Sequence, residues 1–216
     1  MASRRPLEVE TTILVLLAAG QSTRFGVANK LDEDFLGRPL GLHVAVALED
    51  MPFRERIAVT DDCGIDYGAH RYRVMTNPDP ARGMASSLRI GVACAREQGA
   101  DAVLIALADM PRVTAAHVYR MFEVTDGFGS VVASSDGRNA KPPALFGRDR
   151  FDALLAMRGA LGARDLIRAG RHVVTSDAEL IDVDTPVDLA RLRALVRYPA
   201  AAQAAARRMV AEEDEV

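Results

Sequence analysis

The chain is poor in several things, and each shortage closes off a class of function. Its 216 residues include two cysteines, Cys63 and Cys94, with no paired metal spacing, which points to a reducing compartment rather than a disulfide framework. A net charge of −3 excludes a generally basic nucleic-acid binder, while leaving room for a local basic pocket. No apolar run approaches the roughly 20 residues of a membrane span. Arg4 and Arg5 precede the apolar run 13–19, but Glu8 and Glu10 intervene. That run is at the short end of the roughly 7–15 residues of a signal-peptide core, so a buried strand is the better reading. These features predict a cytoplasmic protein that binds neither nucleic acid nor membrane. The dinucleotide pattern G-x-G-x-x-G does not occur between Gly20 and Gly26, and Gly26 is followed by Val27 rather than by the lysine of a Walker A loop. No serine–histidine–acid or cysteine–histidine signature is visible. His43, His70, His117 and His172 are scattered and read as structural or solvated.

What is present is the composition of an ordinary globular domain, 49% apolar and 26% charged. The length suits one core and one domain, taken as residues 1–198. After Pro199 the composition shifts to alanine and ends in acid, which reads as a frayed or partner-packed helical tail over 199–216. Short apolar runs at 13–19, 57–60, 72–75, 102–107, 130–134 and 172–175 read as strands. Several are continuous rather than alternating, which implies burial on both faces. Residues 39–48, 84–98 and 114–122 read as helices, with Thr114 as an N-cap and Val118, Met121 and Phe122 facing inward. Thr185-Pro186-Val187-Asp188 is a capping box, and Leu189, Leu192 and Val196 mark the docking stripe of a last helix. The alternation predicts an α/β fold, doubly wound, with a mostly parallel sheet and helices on both faces.

In such sheets ligands gather at the carboxyl ends of strands, and three ends here carry chemistry. The first strand runs into Ala18, Ala19 and Gly20, then Arg24, Gly26 and Lys30. Small residues let backbone N–H groups approach a phosphate closely, and the two cations add charge. A glycine-containing turn with two solvated cations would look the same. At the second end, VLIALADMPRVT, Asp109 directly follows an apolar strand. Mg²⁺ held by one or two carboxylates together with substrate phosphates would compensate its desolvation; capping a turn is the simpler alternative. At the third, Asp182 and Asp184 lie two apart and point to one face of an extended segment. Asp184 could supply a second metal carboxylate or merely favour the following helix N-terminus.

Taken in order, LAAGQSTRFGVANKL, GRPLGLHV, NPDPARGMASSLRIGV, LADMPRVT, PPALFGRDRFDALL, GARDLI and DVDTPVDL resemble the nucleotidyltransferases of the molybdenum cofactor. The resemblance is to the cytidylyltransferase-like (MobA/MocA-like) branch and covers about residues 12–195. It implies that the loop from Ala18 to Gly26, with Arg24, wraps a triphosphate and that Lys30 lies on its α-phosphate side. Asn77, Gly83, Ser86 and Ser87 would then flank the base and ribose, and Asp109 would bind Mg²⁺. The implied reaction is attack by the terminal phosphate of molybdopterin on the α-phosphorus of CTP, releasing pyrophosphate. A molybdoenzyme would then be a downstream partner. CTP rather than GTP is expected because the guanylyl-transferring branch resembles L-A-G-G where this chain has Leu17-Ala18-Ala19-Gly20. Hydroxyls of Ser86 and Ser87 could also meet a cytosine edge. The acceptor-facing segments depart from the family pattern: Asn139-Ala140-Lys141-Pro142-Pro143 replaces a GHP-like turn, and 158–164 lacks the aspartate of GDxGAR. Asp32-Glu33-Asp34 adds acid just after Lys30. A different phosphorylated acceptor such as a sugar phosphate, contacted by Lys141 and Arg164, is the alternative. A non-catalytic chaperone handing cofactor to a molybdoenzyme is a third reading.

Overall fold

The first apolar run forms strand β1 (Thr12–Ala18), buried along its whole length. Its side chains divide between two cores, Leu14, Leu16 and Ala18 entering one and Ile13, Val15 and Leu17 the other. That is the period of two that a strand imposes, and burial on both faces explains why the run is continuous. The computed structural model describes residues 5–19, 25, 29–61, 63–157 and 162–197. A two-stranded hairpin, β2 (Asp34–Phe35) and β3 (Arg38–Pro39), follows β1. The remaining strands are β4 (Glu55–Thr60), β5 (Arg73–Thr76), β6 (Ala102–Leu107), β7 (Val131–Ser135), β8 (Ala140–Gly147) and β9 (Arg171–Val174). With β1 they form one seven-stranded sheet in the order β5-β4-β1-β6-β8-β7-β9. Only β8 runs against the others.

Helices cover both faces, as the alternation of the sequence predicts. On one side lie α1 (Leu42–Ala47) and α3 (Ala115–Glu123), through Val44, Ala45, Val118, Met121 and Phe122. On the other lie α2 (Met84–Glu97), α4 (Phe151–Ala156) and α5 (Gly162–Ala169). Gly91 sets how closely α2 approaches β1: a Cβ there would stand 2.3 Å from the Val15 side chain. Thr114 caps α3 by accepting from the His117 backbone N–H at 3.2 Å.

The last helix, α6 (Pro186–Arg197), behaves differently from the others. Leu189 and Leu192, with Val183, close a small separate core against Phe35 of the hairpin and Leu40 just after it, and Val196 packs beside it. Its reciprocal cap forms as the sequence indicates, with Thr185 N–H donating to Asp188 Oδ2 at 2.7 Å and Asp188 N–H to Thr185 Oγ1 at 3.2 Å.

The expected helix over 39–48 is shorter, because Pro39 belongs to β3 and the helix starts at Leu42. Strand β8 and helices α4 and α5 have no counterpart in the reading by hydrophobic pattern. Pro142 and Pro143 lie inside β8 and carry no N–H for a ladder. The pairing with β7 shifts register there, from Ala133 opposite Ala144 to Ser134 opposite Lys141. The six and eight residues of α4 and α5 are too short for a helical period to stand out. Residues 198–216, including the alanine-rich tail, lie outside the described residues.

Candidate active site

The carboxyl ends of β1, β4, β5 and β6 meet at one edge of the sheet. Ala108 N–H donates to the Leu17 carbonyl at 3.0 Å, which ties the end of β6 to the end of β1. Asn77 N–H donates to the Thr60 carbonyl at 2.7 Å and does the same for β5 and β4. A cleft of about 390 Å³ opens there, lined on one side by Leu17, Ala18, Ala19 and Leu107 and on the other by Pro80, Ala81, Gly83 and Met84. Lys30, Asp109 and Asp184 close its polar end.

Three distant parts of the chain supply that end. Asp109 sits between Ala108 and Met110, both anchored in the core. Lys30 opens a 3-10 turn whose Leu31 is buried, with Asn29 Oδ1 accepting from the Leu31 N–H at 3.1 Å. Asp184 follows Val183, a fully buried residue whose N–H donates to the Asp109 carbonyl at 3.0 Å. The chain therefore delivers the second carboxylate by bonding to the backbone of the first. Asp182 and Asp184 are both exposed on either side of buried Val183, as an extended segment requires.

Lys30 Nζ donates to Asp109 Oδ2 at 2.7 Å and to Asp184 Oδ1 at 3.1 Å. The Lys30 and Asp109 side chains are only 15% and 19% exposed. Burial raises the Asp109 carboxyl above the usual carboxylate range, and Asp182 and Asp184 push the same way while Lys30 opposes them. Burial works against the charge on Lys30, but Asp109 and Asp184 outweigh it and hold the ammonium above its ordinary value. Two carboxylates, Asp109 and Asp184, thus share the Lys30 ammonium, with Asp182 close enough to be felt by Asp109. The other Asp109 oxygen, Oδ1, is buried with no hydrogen-bond partner among the described residues. An unsatisfied buried carboxylate oxygen is costly and calls for a ligand. A hard divalent cation fits that oxygen and the oxygen-only donor set of Asp109 and Asp184. Among the described residues no three histidine, cysteine or acidic side chains gather into a self-sufficient metal cage.

The far wall of the cleft is held from behind. Asn77 Nδ2 donates to Ser86 Oγ and Ser87 Oγ, both at 2.8 Å, and its Oδ1 accepts from the Asp79 N–H at 3.0 Å. Ser86 Oγ also bonds the carbonyls of Gly83, at 2.8 Å, and Asp79, at 3.2 Å. Asn77 is 3% and Ser87 1% exposed. These side chains are turned toward one another and frame the 80–83 turn from inside. Gly83, at the start of α2, does line the cleft, with φ +78° and no atom within 4 Å of where its Cβ would be. That conformation, rather than lack of space, is what asks for glycine.

Of the sequence-predicted site residues, the structure brings Ala18, Ala19, Lys30, Gly83, Asp109 and Asp184 into one cleft. Asn77, Ser86 and Ser87 stand behind its wall. Gly20, Arg24 and Gly26 lie outside the described residues. Sequence reading missed the contact of Lys30 with both carboxylates, and also missed Met84 and Leu107 as lining residues. Val183 could have been found, since a valine between two aspartates in an extended segment turns inward. The four histidines carry none of this chemistry: His117, for example, is buried and bonded to Ser134 Oγ at 2.7 Å.

The sheet that carries this cleft matches solved nucleotidyltransferase structures in fold. The chain matches a nucleotidyl transferase from Methanothermobacter thermautotroptrophicus (Mth528) with a TM-score of 0.67 and 25% identity, over 84% of this chain and 95% of that one. Rv0371c from Mycobacterium tuberculosis H37Rv, in a structure complexed with manganese, matches with a TM-score of 0.66 and 26% identity over 84% and 97%. The MobA-like NTP transferase domain matches residues 14–175, and the chain belongs to that family. The purine catabolism protein PucB of Bacillus subtilis (strain 168) is 29% identical over 196 residues, 83% of this chain and 94% of PucB. No helix among the described residues is long and apolar enough to cross a membrane.

Proposed function

We propose that the protein transfers CMP from CTP to the terminal phosphate of molybdopterin, with Mg²⁺ as the metal, and releases pyrophosphate. The observation that carries this reading is the polar end of the cleft, where Lys30, Asp109 and Asp184 meet beside the ends of β1 and β6. Small residues at Ala18 and Ala19 leave room for backbone N–H groups to approach phosphate oxygens. Arg24, Gly20 and Gly26 extend that loop in sequence. Pro80, Ala81, Gly83 and Met84 offer the base and ribose an apolar and main-chain wall, and Asn77, Ser86 and Ser87 serve the nucleotide by fixing it.

Asp109 and Asp184 would hold Mg²⁺, whose remaining positions phosphate oxygens and water commonly fill. When bound, the cation neutralises charge on the triphosphate. Lys30 steadies the α-phosphate side as negative charge builds there. An oxygen of the acceptor's terminal phosphate attacks the α-phosphorus, a new P–O bond forms, and the bond to the bridging oxygen breaks. Pyrophosphate leaves with that electron pair. No side chain needs to act as a nucleophile, because positioning and charge stabilisation supply the catalysis.

The choice of CTP rests on Ala19, whose methyl narrows the loop, and the choice of molybdopterin on the resemblance of the chain. A second acceptor class is favoured by one observation. β8 runs antiparallel beside β6, so Lys141 at its start lies at the edge where β6 delivers Asp109. It is ion-paired there with Asp136 at 3.3 Å, and as a cation at that edge it supports a phosphorylated acceptor such as a sugar phosphate.

Incubation with each nucleoside triphosphate, Mg²⁺ and molybdopterin should release pyrophosphate most rapidly with CTP, and CTP should outcompete GTP. Equal or tighter GTP binding defeats the cytidylyl assignment alone. Pyrophosphate release with a sugar phosphate but not with molybdopterin moves the acceptor to the second class.

A further inference from the structure

Lys30 binds the same two carboxylates, Asp109 and Asp184, that would hold a divalent cation. Its ammonium takes one oxygen of each carboxylate, at 2.7 and 3.1 Å. A dication on the same carboxylates would lie within a few ångströms of that ammonium, in a cleft where both the lysine and Asp109 are largely shielded from water. Like charges so placed repel strongly unless an anion separates them. The triphosphate is such an anion, and it offers the ammonium other oxygens to bind.

Resting on the proposed function, we infer that Lys30 is an internal competitor of the metal: it denies the site to a divalent cation alone and yields when triphosphate arrives. Lys30 then has two addresses, the carboxylates before triphosphate arrives and the phosphates after. Metal and nucleotide bind cooperatively, and each tightens the other by the same factor. The geometry favours this over a lysine serving the phosphate alone, because a lysine with only that duty has no need of two carboxylates at bonding distance. Val183 strengthens the device by fixing the spacing of those carboxylates through the Asp109 backbone.

The probe is Mn²⁺ alone, titrated into the full-length protein and followed by its electron paramagnetic resonance signal. Wild type should bind Mn²⁺ weakly without nucleotide. Lys30→Met should bind it at least about tenfold more tightly, since removing one nearby positive charge in a partly shielded site has an effect of that order. Lys30→Gln retains hydrogen-bond donors for the carboxylates, so it should fold even where the methionine variant does not, and it should show the same gain. Melting curves verify the fold of each. Adding Asp109→Asn to either variant should abolish the gain. Folded Lys30 variants that bind Mn²⁺ no more tightly than wild type overturn the inference. If Asp109→Asn in the wild-type background still weakens Mn²⁺ binding, the metal assignment survives that failure. A gain that persists with Asp109→Asn places the metal elsewhere and overturns inference and metal assignment together.

Discussion

The two halves of the sheet spend their polar groups in opposite ways. In the half made of β5, β4, β1 and β6, all parallel, the strand ends open onto the cleft and leave a buried oxygen, Asp109 Oδ1, without a hydrogen-bond partner among the described residues. In the half made of β8, β7 and β9, polar side chains are consumed by one another. Ser134 Oγ bonds the Pro143 carbonyl at 3.0 Å beside the register shift, and His117 bonds Ser134. Glu179 clasps the start of α3 to the end of β9: Oε1 accepts from Thr114 N–H at 3.2 Å and Thr114 Oγ1 at 2.5 Å, and Oε2 accepts from Thr175 Oγ1. Satisfaction marks structure, and the unsatisfied group marks where a ligand is due.

The sharpest way to break this contrast is Asp109→Asn. If Oδ1 awaits a cation, pyrophosphate release should fall by roughly 10²–10³ or more, the scale of losing a major electrostatic contribution to a transition state. Steady-state assays across Mg²⁺ concentrations check it, and wild-type turnover with unchanged Mg²⁺ dependence would make Asp109 a mere turn residue. Asn77→Ala probes the wall between cleft and core. It takes the Asn77 donor from two buried serine hydroxyls, leaving Ser86 its bonds to the Gly83 and Asp79 carbonyls but Ser87 without this partner, and should cost about 1–3 kcal/mol in urea unfolding. By loosening the 80–83 turn it should also raise KM for the nucleotide more than it lowers kcat.

The smallest effect belongs to the other half. Burial tends to raise the Glu179 carboxyl, but its bonds from Thr114 and Thr175 outweigh that and hold it below the usual glutamate range. A carboxyl depressed in the folded state stabilises the protein above its unfolded pKa and loses that contribution as pH falls through the folded value. Glu179→Gln should therefore melt below wild type at neutral pH, and the gap should narrow as pH drops below about 4. A gap that is constant with pH would show that the clasp does not depend on charge. Nucleotide turnover should be unaffected at neutral pH.

Legibility in the sequence divides along the same line. Strands β1 and β6 are continuous apolar runs because they are buried on both faces, so hydrophobic pattern alone identifies them, and Asp109 is conspicuous as the acid that ends one. Thr185 and Asp188 are legible because a cap is a local interaction. β8 is not, because its two prolines argue against a strand and only pairing with β6 and β7 makes it one. The serines at 86 and 87 illustrate a different limit. Composition marks them as polar and near a helix start, but whether a hydroxyl faces ligand or core depends on Asn77, nine and ten residues away. The meeting of Lys30 with Asp109 and Asp184 was hidden for the same reason, being a product of strand order rather than spacing.

The bond from Val183 to the Asp109 backbone also has a kinetic side. Lys30 and Asp109 are separated by 79 positions along the chain, and Lys30 and Asp184 by 154. Contacts of such span must wait for large loops to close, and they form slowly compared with helices and hairpins. During synthesis, β1, β4, β5 and β6 can pair long before residue 184 has left the ribosome, so a nascent chain can own most of a nucleotide cleft while lacking its second carboxylate. On the proposed metal assignment, completion of the site waits for the segment carrying Val183 to dock, because that docking is what brings Asp184 to Asp109 and Lys30.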